Sequence, residues 1–136
     1  MLYFLKKYLG NIYSPIVWSL IVGILCCMPG SMLPSETHFS IPQFDKLVHI
    51  SMFGGFVFLW NLYLSTRERI PDYQLLRLFF LIFILGVAFG IAMEYTQKYY
   101  IPGRDFDEAD IIADMAGAGL AYGLSNILLL TNARGR

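Results

Sequence analysis

At 136 residues the chain has the length of one domain, yet 57% of it is apolar and only 15% charged, too little charge for an ordinary soluble fold. Ten acidic residues balance ten basic ones, which leaves no footing for a nucleic-acid partner or an acidic tail. The charges bunch into short stretches between long uncharged runs, the pattern of membrane spans joined by loops.

The first apolar run covers about 12–28, behind Lys6 and Lys7. It resembles a signal peptide in its basic start, but no small-x-small cleavage site follows, so the sequence predicts a retained helix. Cys26 and Cys27 lie inside it. Side chains of adjacent residues diverge, so these read as a buried pair of small thiols rather than a disulfide. Pro29, Pro34 and Pro42 punctuate the segment that follows, which carries Glu36 and His38; a lone loop histidine reads as exposed. Further spans are expected over about 45–64, 75–97 and 109–130, separated by a polar turn at 65–72 and by Pro102-Gly103. The prediction is an all-α, polytopic membrane protein, a bundle of four transmembrane helices forming one domain over 1–136.

Orientation follows from the basic residues in short loops. Lys6 and Lys7, then Arg67, Arg69 and Arg77, then Arg134 and Arg136 fall on one side of a four-span chain, so both termini are expected to be cytoplasmic. The opposite loops hold only Lys46, Lys98 and Arg104. The location expected is a membrane that the chain crosses several times.

The uncharged centres of the second and third spans are short, about 16–17 residues or ~25 Å of a ~30 Å hydrocarbon core. Their ionisable neighbours must therefore sit near the interface or face the bundle interior. Asp45 and His49 open the second span on one helix face. Glu94 and Gln97 close the third; Asp107, Asp110 and Asp114 open the fourth; Arg104 comes from the loop between them. Gly117 and Ala121 continue the Asp110/Asp114 face, and Gly90 precedes Glu94 on its own. Gly86-x-x-x-Gly90 and Gly119-x-x-x-Gly123 supply small residues that let membrane helices approach closely.

Ionisable groups at membrane depth are functional candidates by default. The plainer alternative is a latch, in which Arg104 neutralises Glu94 and Asp110 and the first-turn acids answer a helix dipole. Lys98 and Asp105 read as solvated loop charges. Tyr95, Tyr99, Tyr100 and Phe106 read as an interfacial aromatic belt.

Asp45-Lys46-Leu47-Val48-His49 resembles the D-K-x-x-H motif of the VanZ-like family of small bacterial membrane proteins. Glu94-Tyr-Thr-Gln97, Pro102-Gly103-Arg104, Asp110 and Asp114-Met-Ala-Gly117 resemble its E-x-x-Q, P-G-R and D-x-x-x-(N/D)-x-x-G segments. The resemblance runs from about Pro15 to Gly123 and implies an association with resistance to glycopeptide antibiotics such as teicoplanin. Asp114 stands where the family more often has Asn. Two carboxylates one turn apart repel, so a cation or a proton is expected between them.

The leading expectation is an outward-facing site, built from Asp45, His49, Glu94, Gln97, Arg104, Asp110 and Asp114, that binds a lipid headgroup or a peptidoglycan-related group. Arg104 is its natural anchor for phosphate or carboxylate. The alternative is an envelope enzyme with His49, Glu94, Arg104 and Asp110 as catalytic candidates. A transporter or a purely structural protein ranks lower, because the other halves of the helices carry almost no polar residues. No cofactor is expected. A divalent cation would fall to Glu94, Asp110, Asp114 and His49, but the repeated Glu-x-x-His of bundle metal sites is missing, so no metal is assigned. The partners expected are membrane lipids, with the oligomeric state open.

Overall fold

The computed structural model describes residues 1–32, 43–67 and 70–130. Glu36, His38, Arg69, Arg134 and Arg136 lie outside the described residues. Inside hydrocarbon every backbone N–H and C=O must be paired within the segment, which favours helices, and among the described residues there are helices and no strands. In chain order these are α1 (Leu2–Leu9), α2 (Tyr13–Cys26), a 3-10 turn (Gly30–Met32), α3 (Phe44–Ser65), α4 (Asp72–Tyr100) and α5 (Glu108–Ser125), which runs on as a π turn (Asn126–Leu130).

The three later spans match the sequence expectation to within a few residues. α3 has 22 residues, α4 has 29, and α5 with its π turn has 23, each apolar enough to cross a membrane. The first span differs. It is broken, with α1 and α2 meeting at 77°, so among the described residues there are three candidate spans, or four if the bent pair is one. Asn11 makes the break: its amide nitrogen donates to the Tyr8 carbonyl (2.9 Å) while its amide oxygen accepts from the Ser14 backbone N–H (3.1 Å). α2 alone has 14 residues, about 21 Å at 1.5 Å per residue.

The segment 10–26 nevertheless reaches both ends of the bundle. At one end the Thr66 hydroxyl donates to the Gly10 carbonyl (3.0 Å); at the other the Gln97 amide donates to the Cys26 carbonyl (2.9 Å). The first of these ends carries Lys6, Lys7, Arg67 and Arg77 and is called here the basic end. The second carries the N-termini of α3 and α5 and the C-termini of α2 and α4; it is the acidic end. The two cysteines separate there, Cys26 buried and Cys27 exposed, which corrects the expectation of a buried pair.

The exposed faces of the spans are largely apolar, while several carboxylates are buried. Leu20, Ile24, Ile112 and Leu120 are each more than 60% exposed, whereas Glu94, Gln97 and Asp114 are at most 2% exposed. Large aliphatic groups cost nothing against lipid tails, while carboxylates there are expensive. The helices therefore keep their carboxylates between them, beside an apolar core that includes Phe53, Val57, Leu62 and Phe79, and small residues mark where they cross most closely. The closest crossing is α3 against α5. A Cβ on Gly117 would run into the backbone of Ile50, and one on Gly54 would lie 3.2 Å from the Gly117 carbonyl oxygen. Gly86 packs against Val57, as the sequence anticipates for a small-residue face. Gly119 and Gly123 do not behave this way: Gly123 has no neighbour within 4 Å of a Cβ, and Gly119 meets only Phe83 at 3.9 Å.

Candidate functional site

The Gly54/Gly117 crossing sets the spacing of α3 and α5 one to two turns below the acidic end, and so decides which side chains meet there. His49 comes from α3, one turn before the fully buried Phe53; Asp110 and Asp114 come from α5, on the face that continues through Gly117 and Ala121. All of these are buried. His49 Nδ1 lies 2.9 Å from Asp114 Oδ1, and its Nε2 lies 3.6 Å from Asp110 Oδ2. The imidazole is thus held between the two carboxylates whose repulsion the sequence flagged.

α4 supplies the third wall. Gly90 leaves room for Asp114, whose Oδ2 would be 2.7 Å from any Cβ placed there. One turn on, Glu94 accepts a hydrogen bond from the Asp107 backbone N–H (3.1 Å), tying the start of α5 to α4. Asp107 also caps α5, its Oδ1 accepting from the Ala109 N–H (2.8 Å). The nearby Lys46 ammonium and this cap hold the Asp107 carboxyl below the ordinary aspartate range.

The cation among these acids is Lys46. Its ammonium pairs with Asp45 at 2.9 Å and also with Asp107 and Asp110. Sequence reasoning quoted Lys46 within the D-K-x-x-H motif but gave it no role. The signal was present, because Lys46 sits three residues before His49 and so shares its inward face. Arg104, the cation expected to neutralise Glu94 and Asp110, forms no ion pair among the described residues. It is half-buried in the α4–α5 loop. That loop is anchored to the segment after α2, where the Gly30 N–H donates to the Pro102 carbonyl (3.1 Å) and Gly30 packs against Gly103 so closely that no Cβ fits. Gly103 itself needs a positive φ of 71°.

Of the seven site residues predicted, His49, Glu94, Gln97, Asp110 and Asp114 are buried together at this end; Asp45 stays at the rim, with its side chain 53% exposed, and Arg104 lies in the bordering loop. Gln97 reaches α2 through its nitrogen, while its amide oxygen is buried with no partner among the described residues. The aromatic group faces outward: Tyr95 stacks on Tyr99, Phe106 packs on Tyr95, and the three tyrosines are at least half exposed.

Asp45, Glu94, Asp107, Asp110 and Asp114 face a single lysine and a single histidine in this cluster. Such an acid-rich cluster favours cations and amine-bearing groups. Among ligand atoms, one each from His49, Glu94 and Asp110 all lie within 4.8 Å of one another, as do those of Asp45, Asp107 and Asp110.

A family model described as VanZ/LLP1 matches residues 4–129, nearly the whole chain. No curated protein and no solved structure matches it.

Proposed function

The chain belongs to the VanZ/LLP1 family of membrane proteins, and from that premise we propose that it is a cell-envelope factor of the bacterial cytoplasmic membrane whose acidic end faces outward and binds a lipid headgroup or a peptidoglycan-related group. A part in glycopeptide resistance of the teicoplanin kind belongs to this proposal, with family membership as its support. Orientation rests on Lys6, Lys7, Arg67 and Arg77 gathering at the opposite end. The observation that carries the reading is the meeting of buried His49, Glu94, Asp110 and Asp114 from three helices beside an arginine with no ion-pair partner among the described residues. Arg104 takes the phosphate or carboxylate of the ligand through its planar fork. The acids below take an amine or hydroxyl of the same molecule.

Native mass spectrometry of the protein in nanodiscs of defined composition tests this. An anionic or lipid-linked envelope component should remain bound to the wild type, and Arg104→Ala should weaken it about tenfold or more, the size of one charge-assisted contact. The same variant should restore teicoplanin sensitivity to cells that depend on the protein. Unchanged binding and unchanged resistance in a folded Arg104→Ala protein refute the proposal.

One observation favours a second reading, that of an enzyme acting on an envelope lipid. The 2.9 Å contact between Asp114 and His49 Nδ1 orients the imidazole and leaves Nε2 for proton transfer, as a carboxylate does for a general base. Under that reading His49→Gln abolishes turnover of a lipid-linked phosphate while ligand binding survives. Wild-type protein that binds but never converts such a substrate returns the function to binding.

A further inference from the structure

The three inward groups of the acidic end have a geometry that neither hydrogen bonding nor ion pairing uses up. His49 is 6% exposed. Its Nδ1 is engaged by Asp114, and its Nε2 makes no hydrogen bond among the described residues. That nitrogen points at Asp110 Oδ2 from 3.6 Å, beyond the range of a good N–H···O bond. Two ligands bound at ~2.0–2.1 Å to one tetrahedral zinc ion stand about 3.4 Å apart, so the separation fits an ion between them better than a proton. Glu94, 1% exposed, brings a carboxylate oxygen within 4.8 Å of a His49 ring nitrogen and of an Asp110 carboxylate oxygen.

The surroundings fit the same chemistry. A metal-bound histidine characteristically gives its other ring N–H to a carboxylate that fixes tautomer and orientation, and Asp114 occupies that place. Lys46 engages Asp110 through Oδ1, leaving Oδ2 turned toward His49. The lysine is one ammonium against five carboxylates, so a divalent cation relieves a negative excess that the protein's own cations leave standing.

We propose that His49 Nε2, Glu94 and Asp110 bind one divalent cation of the zinc type, with Asp114 as the residue that orients His49. An imidazole with two carboxylates suits zinc and leaves a fourth position open to water or to an oxygen of a bound ligand. Asp45, Asp107 and Asp110 form a more exposed group that is already occupied by the Lys46 ammonium. The inference does not depend on what the site binds, because the ion is measured without any lipid ligand.

Full-length protein in detergent, stripped with chelator and dialysed against Zn2+ alone, should retain about one zinc per chain. His49→Gln and Glu94→Gln should each lose most of it, and Asp114→Asn should weaken it by about 10–100-fold, the usual effect of removing an orienting partner. X-ray absorption of the zinc-loaded wild type gives a readout that needs no variant to fold: nitrogen and oxygen neighbours at ~2.0–2.2 Å, including one imidazole, support the site. Less than about a tenth of a zinc per chain overturns the proposal. Sulfur neighbours, which would assign the metal to Cys26 or Cys27, overturn it as well. So does undiminished zinc in folded His49→Gln protein.

Discussion

The two ends of the bundle handle buried polarity differently, although the Gln97 amide oxygen at the acidic end is also without a partner among the described residues. At the acidic end His49, Asp110, Asp114 and Lys46 answer one another across α3 and α5, and Glu94 holds the start of α5. Toward the basic end Asn61 is wholly buried, and neither atom of its amide has a partner among the described residues; Asn126 likewise leaves its amide oxygen buried and unmatched. The apolar core at that end holds Leu62, Leu75, Phe79 and Leu129. A polar network in a dry interior is stabilising when its members are matched and costly when they are not. The contrast therefore separates polarity kept as a site from polarity merely tolerated.

The largest test strikes the crossing that creates the site. Gly117→Val should destabilise the fold by about 3 kcal/mol or more, since the new side chain meets the backbone of Ile50 and no rotamer can relieve it. Thermal unfolding in detergent would show it. Gly123→Ala, in open space on the same helix, should move the midpoint hardly at all. Equal effects at the two glycines would mean that α3 and α5 do not meet where the site requires.

A smaller effect is expected at the cation. Lys46→Met leaves Asp110, whose side chain is only 11% exposed, without its ammonium, whereas Asp45 and Asp107 are half exposed and recover water. Losing a fully buried ion pair costs ~3–5 kcal/mol and an exposed one ~0–1, so about 2 kcal/mol is expected here. The double variant Lys46→Met/Asp110→Asn should recover much of that loss, because it removes the stranded charge as well. Failure to recover, measured by the same unfolding midpoint, would assign the lysine's contribution to packing of its stem instead.

Much of this was legible in the sequence because membrane depth forbids exposed charge. The inward face of Asp110, Asp114, Gly117 and Ala121 follows from period and cost alone, and so does Glu94 above Gly90. Three things were not legible. The break at Asn11 depends on one amide bridging two helices, which hydropathy averaged over a window cannot register. The choice of Lys46 over Arg104 as the paired cation depends on helix rotation and on where a loop closes, and both residues carry the same charge. The glycine motif at 119 and 123 has the right spacing yet faces away, whereas Gly54 and Gly117 make the contact without sharing a motif, because close approach is a property of two helices together.

The smallest expected effect has the opposite sign and lies at the other end. An amide buried without partners costs roughly 1–3 kcal/mol of desolvation, and Asn61 is wholly buried on α3, next to Leu62 and one turn after Val57, both fully buried. Asn61→Val should therefore raise the unfolding midpoint, by about 1 kcal/mol once imperfect packing of the new shape is allowed for. It should leave binding at the acidic end untouched. A lowered midpoint would mean that the amide has a partner in the membrane, and the basic end would then join the acidic one as a place where polarity is kept for use. The sign of this one change decides which kind of interior lies below the site.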